Sequence, residues 1–310
     1  MNAYVAVTDR EWFDFLAIQQ GIDEVNFWQP NPWGGRFGVM GRGEPMLFKL
    51  KSPANTIVGG GFFEHYTELP LSLAWEAFGI KNGAPSQQAT WERIARLRHI
   101  RPEWYEDFTI GCIILVEPFF WSEELWIPEP PDWSPNIVRG KTYDLHDEPG
   151  RTLWAQVTDR LLEIRTRQPG ISPTEIPGGY SEPVPVRRRL GQGTFRILVT
   201  DAYQRQCAVT RERALPALEA SHIRPFAELE THSVRNGLLL RSDLHRLFDA
   251  GYLTVTPDYC LKASPRMRED FDDGETYVQL SGPRIWVPTR EEDRPDPAFL
   301  LWHNENRFRG

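Results

Sequence analysis

Short apolar runs and amphipathic segments follow one another through the first half of the chain without a fixed rhythm. Residues 4–7, 45–50, 56–63 and 111–116 are brief runs rich in aromatic and aliphatic side chains and predict strands. The last is apolar throughout, as a strand covered on both faces would be. Helical spacing predicts helices at 12–20, 71–78, 86–98 and 152–164. Thr8 with Glu11 three residues later is a capping-box signature for the first of these. Strands and helices do not alternate regularly, so residues 1–165 are expected to form a mixed α+β domain with a small curved sheet or barrel. Residues 166–190 carry five prolines and three glycines and read as a linker. A second domain, 191–310, is expected to hold a helix at 194–205, a strand at 218–223, a helix around His245 and a strand at 252–256.

Composition changes this picture little. Of 310 residues, 40% are hydrophobic and 25% charged, which fits a globular chain of about two domains. No apolar run approaches the roughly 18 residues of a membrane span. The N-terminus lacks the basic-then-apolar pattern of a secretory leader, so a cytoplasmic location without membrane partners is expected. Cys112, Cys207 and Cys260 are odd in number and far apart, which suits reduced thiols. The net charge is −8, yet residues 186–250 hold eleven Arg, no Lys and seven carboxylates, a local balance of +4. A locally basic, Arg-only stretch on an acidic chain suits bidentate phosphate contacts. Solvated helix surfaces would look the same.

The chemistry is concentrated in that stretch. His222 ends an expected strand, Asn236-Gly237 is a turn signal, and His245 sits on an expected helix that Ser242 could cap. Two imidazoles and an amide in this order can surround one metal ion, with a histidine left to act as a base. Ala-Ser-His-Ile at 220–223, Asn-Gly-Leu-Leu-Leu at 236–240 and Leu-His-Arg-Leu-Phe-Asp-Ala-Gly at 244–251 resemble the HNH endonuclease family with its ββα-metal site. Gly-Gln-Gly-Thr-Phe-Arg at 191–196, Tyr203 and Cys-Ala-Val-Thr at 207–210 extend the resemblance. It implies that His222 is the general base, that Asn236 holds the loop and the base in place, and that His245 is a metal ligand for Mg2+ or Mn2+. Many members carry Asp or His immediately before the base, where this chain has Ser221, and a hydroxyl is a poor ligand. The ion could then rely on His245 with waters and phosphate oxygens, or Glu219 could help from the strand, or His222 could itself bind the metal. Arg224, Arg241 and Arg246 are candidate phosphate contacts. His232 could be a ligand, a phosphate contact or a solvated loop residue.

The first domain is aromatic-rich. Asn26, Trp28 and Trp33 fall in one segment, with Gly34-Gly35 beside them and Gly59-Gly60-Gly61 further on. Aromatic planes with amide donors could hold an unstacked base, and glycines could admit a ligand close to the backbone. Core packing and bulges would use the same residues. The strings at 44–50, 57–63 and 111–116 resemble the PUA-like superfamily of EVE, ASCH and SRA-type readers. That resemblance implies a pocket for a modified base, formed here by Asn26, Trp28 and Trp33. A reader joined to a nuclease implies a modification-dependent restriction endonuclease that flips a modified cytosine in double-stranded DNA and cuts as a homodimer. A nicking or toxin-type nuclease blind to modification, and a non-catalytic PUA-like binding protein, are the alternatives.

Overall fold

The structure is a computed structural model and describes residues 1–34, 37–100, 106–167, 190–225, 233–272 and 274–310. His232 and most of the expected linker lie outside these residues. The chain divides into two compact units, Met1–Arg189 and Leu190–Gly310. Among the described residues, no helix is long and apolar enough to cross a membrane.

The first unit is built on one seven-stranded sheet. Its strands are β1 (Asn2–Thr8), β2 (Glu24–Gln29), β3 (Pro45–Leu50), β4 (Thr56–Pro70), β5 (Thr109–Phe120), β6 (Ile127–Pro128) and β7 (Gly140–Asp144). The path runs β2-β5-β4-β3-β1-β7, and β6 pairs with β4. Only β1 and β3 pair in parallel; the other pairings are antiparallel. Helices α1 (Arg10–Ala17), α2 (Leu71–Phe78), α3 (Gln87–Leu97) and α4 (Gly150–Arg167) accompany the sheet. The α+β class is as expected. The cap of α1 is not: Asp9, one residue later than Thr8, accepts from the Trp12 amide at 3.1 Å. Thr8 instead donates its hydroxyl to the Ala6 carbonyl, and Glu11 pairs with Arg93. A carboxylate one position nearer the helix satisfies its free amides better than the strand-bound hydroxyl can.

Strand β2 is absent from the sequence reading because it interleaves polar and apolar positions that are both buried. Its even residues form a ladder on the turn at Gly79–Asn82. Glu24 pairs with Lys81 at 2.9 Å, Asn26 donates to the Asn82 side chain at 2.9 Å, and the Trp28 indole donates to the Asn82 carbonyl at 2.8 Å. The aromatic load goes mainly into packing. Trp12 sits edge-on to Phe27 and Phe48 at 5.2 and 5.1 Å, and Phe120 stacks on Phe48 at 5.8 Å. The Gly59–Gly61 run serves the sheet, not a ligand. A Cβ on Gly59 would lie 2.3 Å from the Phe119 carbonyl, and one on Gly60 would lie 2.7 Å from the Met46 carbonyl. Bulges between Gly60 and Phe62 and between Phe63 and His65 let the fifteen-residue β4 continue between β3 and β5.

The second unit opens with α5 (Gln192–Ala202). A hairpin of β8 (Leu218–His222) and β9 (Gly237–Arg241) follows, then α6 (Ser242–Asp249) and a second hairpin, β10 (Leu253–Val255) with β11 (Leu261–Ala263). A C-terminal helix, Pro297–Asn306, returns to this assembly, capped by Asp296. Leu238, Leu239 and Leu240 are all buried, so β9 is covered on both faces. His303 of the C-terminal helix is buried and lies flat on Phe248 of α6, with ring centroids 3.8 Å apart. Its Nε2 meets the Phe248 carbonyl at 3.2 Å, which assigns the proton there, and its Nδ1 accepts from the Thr254 hydroxyl at 2.8 Å.

Burial holds the pKa of His303 down to about 4, against the opposing pull of the Phe248 carbonyl. A depressed folded-state value means that the unfolded chain takes up the proton first. Stability from this group is therefore complete above the ordinary imidazole range and is lost as pH falls from about 6.5 toward 4. Urea titrations across that window should show the second unit losing about 3 kcal/mol, a loss that His303→Gln removes from the pH profile.

Candidate active site

The site residues are carried by the β8-β9 hairpin and by the helices on its two sides, with His222 against α5 and His245 on α6, so the expected gathering of both imidazoles around one ion is not formed by the described residues. Along β8, side chains alternate between the faces. Glu219 points toward α6, where its carboxylate reaches His245. His222 points toward α5, where its ring stacks on Phe195 with centroids 3.9 Å apart and planes 11° apart. Gly237 lies opposite His222 in the register, and only glycine fits there, because a Cβ would lie 2.4 Å from Val199. The close approach of α5 to the hairpin end depends on that missing side chain.

Asn236 fixes the chain just beyond His222. It is fully buried. Its Oδ1 accepts from the Arg224 amide at 2.9 Å, its Nδ2 donates to the Arg224 carbonyl at 2.8 Å, and its own carbonyl accepts from the Ile223 amide at 2.9 Å. One side chain thus continues the strand pairing for another residue and sets where His222 leaves the sheet.

His245 lies between two carboxylates. Its Nδ1 is 2.6 Å from Glu219 Oε2, and its Nε2 is 3.2 Å from Asp249 Oδ2. Burial lowers the imidazole pKa, but the hydrogen bonds and charges of Asp249 and Glu219 outweigh it, and the net value is raised. The two carboxylates meet opposite ring nitrogens. That explains why, among the described residues, no three His, Cys, Asp or Glu side chains gather around one point as a closed metal cage would require. The donor set suits a different and common arrangement. One imidazole nitrogen and a neighbouring carboxylate hold an ion, while a second carboxylate orients the ring through its other nitrogen. The shorter contact puts Glu219 in the orienting position, and Nε2 with Asp249 would be the pair left to hold an ion. Asp249 is absent from the candidates read from sequence, although its spacing of four from His245 on a helix was the available signal.

The other candidates divide. Ser221 is fully buried, and among the described residues its hydroxyl has no hydrogen-bond partner. Arg241 spends its guanidinium on Asp243 through two contacts of 2.8 and 2.5 Å, and that pairing raises its pKa further. Arg246 is exposed on α6, and Arg224 lies at the hairpin end with its guanidinium over Trp302. Asn26 and Trp28 lie within the β2 ladder, so they are built into the interior, not onto an open surface. Trp33 is half-buried, with Arg139 over its ring at 5.2 Å and Phe37 edge-on at 5.2 Å.

The chain is similar to known proteins over part of its length. Residues 207–256 match the family described as HNH endonuclease, a span that contains His222, Asn236, His245 and Asp249. Among solved structures, ASCH from Zymomonas mobilis is similar, with 10% identity and a TM-score of 0.30 over 52% of this chain and 94% of that one. A mutant form of the same protein has 12% identity and a TM-score of 0.30 over 49% of this chain and 96% of its own. No curated protein matches.

Two stability measurements separate the roles at the hairpin end. Asn236→Ala should cost about 2–5 kcal/mol in urea unfolding, because it strands buried backbone groups at Arg224. Ser221→Ala should leave stability unchanged or raise it by about 1 kcal/mol, because it removes a buried hydroxyl that bonds to nothing. A Ser221→Ala loss as large as that of Asn236→Ala would show that the hydroxyl has a partner.

Proposed function

We propose that this HNH endonuclease unit hydrolyses phosphodiester bonds in double-stranded DNA with a divalent ion, Mg2+ or Mn2+, held at His245 Nε2 and Asp249. The observation that carries the reading is the clamp on His245, with one carboxylate at each ring nitrogen, 2.6 and 3.2 Å away. Such an ion would supply charge neutralisation at the scissile phosphate and at the departing oxygen. The chain's own residues do the rest. Glu219 holds the His245 ring through Nδ1. Asn236 holds the segment after His222, and Phe195 supports the His222 ring from the α5 side. His222 takes the proton from the attacking water, which is the general-base role. Arg224 and Arg246 bind phosphate oxygens, and Arg241, already paired with Asp243, contributes less.

In the fuller form of this reading, the first unit reads a modified cytosine and two chains act together to cut both strands. Its support is the PUA-like pattern of the sequence, with Trp33 as the residue placed nearest the surface. A second reading, a nuclease indifferent to base modification, is favoured by a specific observation. Asn26, Trp28 and Gly59–Gly61 are all used in internal packing.

Digestion of matched unmodified, methylated and hydroxymethylated duplexes in Mg2+ or Mn2+ tests both. The fuller reading expects cleavage of modified duplexes alone; equal cutting of all three leaves the second reading. In either case, cleavage should stop with EDTA, and His222→Ala should lower it about 10²–10⁴-fold. Asp249→Asn should raise the metal concentration needed for half-maximal rate. Unchanged rates in His222→Ala would remove the nuclease reading.

A further inference from the structure

Residues 191–196, Gly-Gln-Gly-Thr-Phe-Arg, lie ahead of the segment that matches the endonuclease family, 207–256. They cap and open α5. One of them reaches the proposed reaction centre. Phe195 is 1% exposed and meets the half-buried His222 with ring centroids 3.9 Å apart and planes 11° apart. At that separation and tilt the two rings lie flat against each other.

The phenyl is itself held in place. Val199 and Tyr203, four and eight residues on, share its face of α5. Val199 stands against Gly237, where a Cβ would lie 2.4 Å from Val199 Cγ2 and 3.2 Å from Phe195 Cε2. Tyr203 is fully buried, its hydroxyl lies 3.5 Å from the Gly237 carbonyl, and its ring packs edge-on to Trp286 at 5.5 Å. Gly237 is the register partner of His222. α5 is therefore seated on the hairpin end at three successive turns, and the first of them carries the phenyl.

General-base chemistry depends on direction. The lone pair that takes a proton lies in the imidazole plane, so the base works only when that plane points at the attacking water. Asn236 fixes the backbone beyond His222, but a backbone restraint leaves the side-chain torsions χ1 and χ2 to be set by something else. A phenyl lying flat on the ring sets χ2, because turning the imidazole would drive its edge into the phenyl. The same phenyl face meets the positive charge that His222 gains on taking the proton, an attraction of the cation–π kind.

We propose that Phe195 is a positioning residue that fixes the plane of the His222 ring, and with it the direction in which His222 accepts the proton of the attacking water. This inference rests on the nuclease reading above and adds α5, which lies outside the matched segment, to what that reading requires.

The test uses the full chain, labelled with ring-13C histidine, and a DNA duplex in Mg2+ or Mn2+. A phenyl face shields the protons lying over it, so the His222 ring protons should resonate upfield of those of an exposed histidine. His222→Ala identifies the signal among the seven histidines. His303, flat on Phe248 in the same unit, gives a second shielded signal that reports whether a variant is folded. In Phe195→Leu and Phe195→Met the His222 signal should move downfield while that of His303 stays. Single-turnover cleavage should fall about 10–100-fold, the cost of a misdirected reacting group. Duplex affinity in EDTA and the metal concentration for half-maximal rate should not change. Where Phe195→Leu loses the His303 signal as well, Phe195→Met, with its longer and more adaptable side chain, carries the comparison. A wild-type His222 signal without the upfield displacement overturns the proposal before any variant is made. A wild-type cleavage rate in a Phe195 variant whose His222 signal has moved also overturns it, as does a rate loss matched by an equal loss of duplex affinity. If His222→Ala is inactive while the Phe195 variants cut normally, this proposal alone is removed. If His222→Ala cuts as well as wild type, the nuclease reading goes with it.

Discussion

A buried amide must use its donor and its acceptor within the protein, and Asn236 uses both on one residue. Its partner is the backbone of Arg224, so the constraint passes from the start of β9 to the chain leaving β8. Everything distinctive about the second unit's site follows from that closure. His222 emerges at a set angle and meets Phe195. Gly237 lets α5 come close enough for the meeting. Glu219, on the opposite face of the same strand, is left to engage α6. A hairpin only five residues deep can thus hold two histidines on two different neighbours, because its open end is tied shut.

The clamp on His245 shows how the same three side chains could serve metal-free and metal-bound forms. Without an ion, a proton shared between the ring and two carboxylates balances part of their charge, consistent with the raised pKa. An ion held at Nε2, as proposed above, would take the place of that proton, and Glu219 would keep the ring in register. The serine in front of His222 is buried, and among the described residues its hydroxyl meets neither carboxylate nor imidazole.

Much of the site was legible in the sequence, because its parts are local. His222, the Asn236 turn and the His245 helix fall within two dozen residues, and each carries its own signal of strand, turn or helix. Asp249 was within reach through helical spacing. Trp302 and His303 were not, since nothing in residues 297–306 announces a partner some fifty positions earlier; the His303 to Phe248 bond spans 55 residues. In the first unit the pattern of strands and helices was largely readable, but β2 was not. Glu24 and Asn26 are buried as fully as Val25 and Phe27, and the alternation breaks at Trp28, so four residues alone would mark it. The same blindness made Asn26 and Trp28 look like a pocket. A buried asparagine bonded to another asparagine reads, in one dimension, like an asparagine waiting for a base.

The dependence of α6 on His303 has an evolutionary corollary. The stretch that matches the HNH endonuclease family, 207–256, ends before the helix whose His303 lies on Phe248 and meets the Thr254 hydroxyl. A gene rearrangement that moved the signature alone to a new host would deliver the reactive groups without their brace. A cut between residues 256 and 297 would separate the matched stretch from the imidazole that packs on it.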